Sequence, residues 1–130
     1  MKPRQFDMER FFLALADRTR LRLLRLIGED EVCVCFFVEV LQTNQPKISR
    51  HLAYLRRAGL VSARRDGKWM HYRLTPPTEP HAKRIFEQVM NWLKDDAEMQ
   101  RDHGRLISLC CSPSPPVHIQ GAPRPASLAS

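Results

Sequence analysis

Apolar residues recur at the spacing of amphipathic helices along most of the chain. They predict a first helix over residues 5–16, and a second over residues 18–27 that begins at the N-cap Asp17 and ends at Gly28. A longer helix is predicted from residue 81 to about residue 101. Its apolar stripe is wide and consists of Ile85, Phe86, Val89, Trp92 and Leu93. These segments predict a mainly helical protein.

Two shorter segments predict a helix-turn-helix. Periodicity does not distinguish helix from strand in the apolar run at residues 32–41. A brief helix over residues 36–42 is favoured, because Thr43 and Asn44 then supply the turn. The second helix spans residues 45–59. It has an N-cap at Asn44, a proline in its first turn, a terminating glycine and an apolar stripe made of Ile48, Leu52 and Leu55.

A β-hairpin is predicted directly after this pair. Residues 60–65 and 69–74 resemble strands, and the Asp66-Gly67 turn between them is a strong hairpin signal. A helix-turn-helix followed by a basic hairpin is a winged helix. The predicted fold is therefore mainly α with a small β-hairpin, a winged helix-turn-helix.

The charge distribution indicates a nucleic-acid partner. The net charge is +7, and residues 44–73 alone hold eight basic residues against one acidic residue, so the rest of the chain is neutral. A local basic footprint of this kind is typical of DNA binding. On double-stranded DNA we expect contacts to bases and phosphates from the second helix and to phosphates from the wing. The expected residues are Gln45, Lys47, Ser49, Arg50 and His51 on the helix, and Arg64, Arg65 and Lys68 on the wing.

The stripe on the last helix predicts a second copy of the chain. It is large for a terminal helix on a small domain, so we expect a homodimer with the terminal helices at the interface; packing on the domain's own core is the alternative. Residues 1–104 would form the winged helix-turn-helix DNA-binding and dimerisation domain. Residues 105–130 would form a flexible, Cys-containing tail rich in Pro and Ser, because five prolines and one charge after Cys111 favour disorder over a packed core.

The four cysteines form two close pairs, Cys33 with Cys35 and Cys110 with Cys111. The sequence shows no membrane-length apolar run and no secretory signal, so we expect a cytoplasmic protein with reduced thiols that act as ligands or sensors. Residues i and i+2 point about 200° apart on a helix but the same way in an extended segment. Cys33 and Cys35 can therefore share one ion only where the segment around Cys33 is not regular helix.

An enzyme is not expected. The sequence has no Cys-x-x-Cys motif, no Ser/His/Asp grouping and no glycine-rich phosphate loop. The predicted function is binding and regulation.

Three motifs resemble the ArsR/SmtB family of metal-sensing repressors, and in particular its arsenic-responsive members. They are Glu31–Cys35, Gln45–Leu52 and Gly67–Leu74, and the resemblance covers about residues 8–93. It implies a homodimeric winged-helix repressor that binds a palindromic operator and is released by trivalent arsenic or antimony. The inducer would be As(III) or Sb(III), and no other cofactor would be required.

The sequence departs from the family pattern in one respect. Well-known arsenic sensors carry a third cysteine at the position of Val38, and the histidine pattern of the family's zinc site is absent after His81. Three arrangements stay open for the distant pair. Cys110 or Cys111 completes a site with Cys33 and Cys35 in one subunit or across the dimer, or the pair binds a methylated trivalent arsenical, or it is inert. A thiol-redox-sensing repressor is the alternative function.

Overall fold

The computed structural model describes residues 5–128, which form six α-helices, a three-stranded antiparallel sheet and two 3-10 helices. The α-helices are α1 Met8–Leu15, α2 Arg18–Ile27, α3 Val34–Leu41, α4 Gln45–Arg57, α5 Pro80–Leu93 and α6 Ala97–Cys111. The strands are β1 Glu31–Cys33, β2 Val61–Asp66 and β3 Trp69–Leu74, and the 3-10 helices are Val117–Ile119 and Ala126–Leu128. The predicted winged helix-turn-helix, mainly α with a β-hairpin, is confirmed. The sequence predicted a domain at residues 1–104 and a tail at residues 105–130. Residues 1–4 of that domain and residues 129–130 of that tail lie outside the described residues.

The predicted N-caps fix where the central helices begin. Asp17 accepts a hydrogen bond from the backbone N–H of Arg20 at 3.1 Å, and Asn44 accepts one from the N–H of Lys47 at 2.9 Å. Each bond satisfies an N–H group that has no partner within its own helix. α2 and α4 therefore begin where the sequence predicts.

The sheet contains one strand that the sequence pattern did not reveal. Its order is β1-β3-β2, so the predicted hairpin of β2 and β3 is joined at its edge by β1, and Cys33 lies opposite His71. The helix predicted over residues 36–42 in fact spans Val34–Leu41. It ends at Gln42, whose φ of 54° is left-handed. A three-residue strand is too short to produce a recognisable alternation of apolar and polar residues. β1 is identified only by its pairing with β3, which lies far along the chain.

Every α-helix contributes to the core. Its largest fully buried side chains come from all six α-helices, from β1 and from Leu60, and they include Phe11, Leu24, Phe37, Leu52 and Leu55, none more than 1% exposed. Full burial of one such side chain stabilises the fold by about 1.5–3 kcal/mol. α4 is held by this core along one face, which leaves its other face free.

The prediction of a single long helix from residue 81 to about residue 101 is wrong. α5 ends at Leu93, and α6 begins at Ala97 after the turn at residues 94–96. Asp96 caps α6 by accepting the N–H of Met99 at 3.1 Å. The reason is the Asp95-Asp96 pair, because aspartate competes with helical hydrogen bonds in a helix interior and favours caps.

Ion pairs fasten α6 to the helices of its own chain. Arg22 on α2 donates two hydrogen bonds of 2.8 Å to Asp102, which is 2% exposed, and Arg18 donates to Asp96 at 2.8 and 2.9 Å. Arg105 also donates to the carbonyl oxygen of Val40 on α3 at 3.2 Å. These contacts dock α6 against α2 and α3.

The docking of α6 changes the expected organisation of the C-terminal segment. The expected boundary between residues 104 and 105 lies inside α6, and Cys110 and Cys111 form its end. The expectation that these two cysteines lie on a flexible segment is wrong, because α6 continues through them. Beyond the two cysteines, Ile119 is 3% exposed and packs in the core cluster. The C-terminal segment builds no core of its own, but this one apolar side chain docks onto the core of the domain. Among residues 5–128, no helix is both long and apolar enough to cross a membrane.

Candidate nucleic-acid interface and thiol site

The free face of α4 carries the residues predicted to contact DNA. Four of them are exposed at its N-terminal end, namely Gln45, Lys47, Ser49 and Arg50. The apolar stripe on the opposite side is fully buried. The helix therefore presents side chains that can donate hydrogen bonds to phosphates and base edges, on a rigid support.

His51 differs from the other predicted contacts because it is half-buried against α2. Its Nδ1 lies 3.8 Å from an oxygen of Asp17 and 3.5 Å from a guanidinium nitrogen of Arg20. Burial lowers the pKa of His51, and this favours a neutral imidazole. A DNA contact from His51 stays a prediction, and it would be made by an uncharged ring.

Arg20 supports the interface, although no sequence motif marks it out. Its guanidinium lies 4.2 Å from the ring centre of Tyr54 on α4 and donates to the carbonyl oxygens of Leu13 and Ala14 at the end of α1. It thus joins α1 and α2 to the recognition helix. In the sequence, nothing distinguishes Arg20 from the other arginines of α2. Only the tertiary fold identifies its contact with Tyr54.

The wing exposes the three predicted phosphate contacts, Arg64, Arg65 and Lys68. Arg64 also donates from Nε and Nη2 to the carboxylate of Glu31 on β1, with a shortest distance of 2.6 Å. This pairing lowers the pKa of Glu31 and raises the pKa of Arg64. The wing is therefore bonded to the strand that leads into Cys33.

Cys33 and Cys35 lie together at the junction of β1 and α3. Cys33 is extended, with φ −68° and ψ 140°, and Cys35 lies in the first turn of α3. The Cys35 thiol donates to the sulfur of Cys33, and the two sulfurs are 3.0 Å apart. The condition for a shared ion, that the segment around Cys33 is not regular helix, is met at Cys33 itself. Cys33 is fully buried and Cys35 partly exposed.

The local hydrogen bonds activate Cys33 as a thiolate. The pKa of Cys33 is lowered to about 7, mainly by the hydrogen bond from Cys35 and against the effect of burial. The backbone N–H groups of Cys35 and Met70 lower it further. The bond to Cys33 and burial raise the pKa of Cys35. A low-pKa thiolate beside a protonated thiol is a reactive pair for thiophilic ligands.

A titration checks this assignment. In a Cys110→Ser/Cys111→Ser variant, ultraviolet thiolate absorbance should appear as the pH rises through about 7, because Cys35 stabilises the Cys33 thiolate. Adding Cys35→Ala should move that midpoint upward, towards the ordinary value of about 8.5. A midpoint that stays at the ordinary cysteine value before and after this change would contradict the activation.

The distant cysteines are separate from this pair. Cys110 is 1% exposed, and burial raises its pKa, whereas Cys111 is exposed. Throughout the part of the chain that the structure describes, no three His, Cys, Asp or Glu side chains gather into a metal site. The structure thus brings together Cys33 and Cys35 but not the four predicted ligands.

An exposed basic face on α4, a basic wing and a buried helix-turn-helix core are the features of a winged-helix DNA-binding protein. Residues 17–63 match the family model described as "Bacterial regulatory protein, arsR family". The chain belongs to this family of regulators. The match includes both the Cys33–Cys35 pair and α4.

Individual relatives extend the match beyond those residues. The chain is 42% identical over 102 residues to the arsenical resistance operon repressor of Escherichia coli (strain K12), an alignment that covers 78% of this chain and 86% of that protein. It is 45% identical over 91 residues to the arsenic resistance transcriptional regulator ArsR1 of Pseudomonas putida (strain KT2440), covering 66% and 71%. Reduced HlyU from Vibrio cholerae N16961 has a similar fold, with 30% identity, a TM-score of 0.56 and coverage of 65% and 85%.

Proposed function

We propose that this regulator is an arsenite- and antimonite-responsive repressor. It binds operator DNA as a dimer and leaves the DNA when the thiolates of Cys33 and Cys35 bind the trivalent metalloid. The observation that carries the proposal is the pair of sulfurs 3.0 Å apart, one with a pKa of about 7, directly before the helix-turn-helix. The names of the relatives from E. coli and P. putida support arsenic as the inducer.

The donor set fits a soft, thiophilic ion. Thiolates select such ions, and trivalent arsenic takes three of them. Cys33 and Cys35 supply two donors. We propose a third thiolate from Cys110 or Cys111, in the same subunit or across the dimer. Cys111 is exposed at the end of α6, which supports its availability, whereas Cys110 must first leave the core.

The position of Cys33 connects the thiols to the DNA-binding face. Cys33 is the N-cap residue of α3, and only three residues separate the end of α3 from the start of α4. α3 also packs directly against α4. When Cys33 and Cys35 turn their sulfurs towards a shared ligand, the start of α3 must adjust. We propose that α4 shifts together with α3. Lys47 and Arg50 would then no longer be positioned to contact the major groove.

An exposed apolar face supports the dimer. Phe12 on α1 is 48% exposed, and Ile85 and Trp92 on α5 are 38% and 76% exposed. Together with Leu15, Leu21 and Val89, they line an apolar groove between the two helices. Contiguous apolar surface of this kind marks an interaction site. We propose that a second copy of the chain covers it, with α1 and α5 of each subunit at the interface.

Trp92→Asp tests that interface. The variant should sediment as a monomer, because a charge would be buried against the partner subunit. Its operator affinity should fall about tenfold, since two half-sites are no longer bound together. Val117→Asp is the matched control, an apolar residue 83% exposed in the C-terminal segment, and it should remain a dimer. A dimeric Trp92→Asp variant would place the interface elsewhere.

A ligand panel tests the proposed inducer. Operator binding by the wild-type protein is measured with arsenite, antimonite, methylarsenite, zinc, cadmium and hydrogen peroxide. Release by arsenite and antimonite, but not by zinc, is expected, because zinc takes four tetrahedral ligands and trivalent arsenic takes three. Cadmium is also thiophilic, so release by cadmium would identify a sensor of soft ions in general. Release by methylarsenite alone would identify a sensor of methylated arsenicals. Release by peroxide alone would identify a redox sensor that joins Cys33 to Cys35.

A further inference from the structure

The C-terminal segment, residues 112–128, folds back onto the segment that carries the thiols. Near its end, Ser127 bonds to Asp30 twice: its backbone N–H donates to Oδ1 at 3.1 Å, and its hydroxyl donates to Oδ2. Asp30 lies in the turn between α2 and β1, three residues before Cys33. One end of this segment is thus fastened upstream of the thiol pair.

A second attachment lies downstream of the thiols. His118 pairs with Glu39, which is four residues after Cys35 and therefore one helical turn further along the same face of α3. The neighbouring Ile119 is 3% exposed and packs with the core cluster that includes α3. The side chain of Gln120 donates to the carbonyl oxygen of Pro115 at 3.1 Å and stabilises the turn between them. These contacts anchor the segment on α3.

We propose that residues 112–128 act as a strap that limits access to the Cys33–Cys35 thiols. Its two attachments, at Asp30 and at Glu39, lie on either side of the pair. Cys33 is fully buried, so a ligand reaches it only when β1 and the start of α3 open locally. Opening of this segment separates Asp30 from Ser127 and Glu39 from His118. The strap therefore raises the free energy of opening and slows capture of a thiophilic ligand.

The strap modulates access and does not block it. The side chain of His118 is more than half exposed and the bonds of Ser127 are solvent-exposed, and such contacts stabilise only weakly. The buried residues of the strap are Ile119, in the first 3-10 helix, and Pro125, just before the second. The inference deepens the proposed function, because it concerns the same two thiols, but it depends neither on arsenic nor on DNA.

Alkylation by iodoacetamide, assigned to each cysteine by mass spectrometry, tests the strap. Ile119→Asp should release it and raise the alkylation rates of Cys33 and Cys35 about tenfold. A chain that ends at Cys111 should show the same increase. Val117→Asp, the same change at an exposed position two residues away, should react like the wild-type protein.

Hydrogen exchange in the same variants separates strap release from general destabilisation. Faster exchange confined to residues 31–39 and to the edge of β3 that pairs with β1, with β2 still protected, is the expected result. Uniformly faster exchange in Ile119→Asp and in the shortened chain, or alkylation rates within about twofold of the wild type, would overturn the strap. Neither experiment contains metalloid or operator, so failure of arsenite to release DNA would overturn the proposed function and leave this result standing.

Discussion

The Cys33→Ser variant is expected to stay on operator DNA at arsenite concentrations that release the wild-type protein. Serine keeps the size and the extended backbone of residue 33, so operator affinity without arsenite should stay within about twofold of the wild type. The hydroxyl does not ionise near pH 7 and is a hard donor, so the soft metalloid loses its activated thiolate. Fluorescence anisotropy of a labelled operator during an arsenite titration measures both quantities.

Cys111→Ser is the matched control for that variant. It removes one thiol by the same substitution, at an exposed position outside the helix-turn-helix. Partial loss of the arsenite response would identify Cys111 as the third ligand, and an unchanged response would leave Cys110 or a two-thiol site. Full arsenite-driven release in Cys33→Ser would exclude the Cys33–Cys35 pair as the sensor.

Arg50→Ala is expected to weaken operator binding about 10²-fold, from a loss of about 1–3 kcal/mol at each half-site. Arg50 is exposed near the start of α4, and the buried stripe on the opposite side keeps the helix folded without it. The slope of log affinity against log salt should also become shallower by about one for each phosphate that the variant no longer neutralises. Binding to operators of varied sequence shows whether Arg50 reads a base or holds a phosphate.

The control for Arg50 is Arg101→Ala, which removes one exposed positive charge from α6. If the net charge of the chain were the only source of affinity, the two variants would bind equally. Equal affinities would contradict the assignment of α4 as the recognition helix. A large loss confined to Arg50→Ala supports it.

The parts of the fold that depend on local rules were predictable from the sequence. Asp17 and Asn44 cap the helices they were expected to cap, because a cap needs only residues near it in the chain. The Asp66-Gly67 signal predicted the hairpin in the same way, although the two-residue turn itself is Gly67-Lys68, because Asp66 pairs with Trp69. The geometry of residues two apart gave only the condition that Cys33 and Cys35 need to share an ion, and the extended backbone at Cys33 meets it.

The parts that depend on pairing between distant segments were not predictable. β1 exists through its pairing with β3, and α6 lies where Arg22 meets Asp102, eighty residues further along the chain. The break between α5 and α6 was missed for a different reason, because the Asp95-Asp96 pair that causes it is a local capping signal that the predicted long helix passed over. The salt bridge from Glu31 to Arg64 and the support that Arg20 gives to Tyr54 likewise appear only in the folded chain.

The most direct test of the account measures arsenite binding and operator release on the same sample. Wild-type protein bound to labelled operator is titrated with arsenite while thiolate–arsenic absorbance and anisotropy are recorded together. Absorbance should rise as anisotropy falls, over the same arsenite range, and both changes should disappear in Cys33→Ser. Arsenite that occupies Cys33 and Cys35 while the operator stays bound at full affinity would contradict the proposed coupling between the thiols and α4.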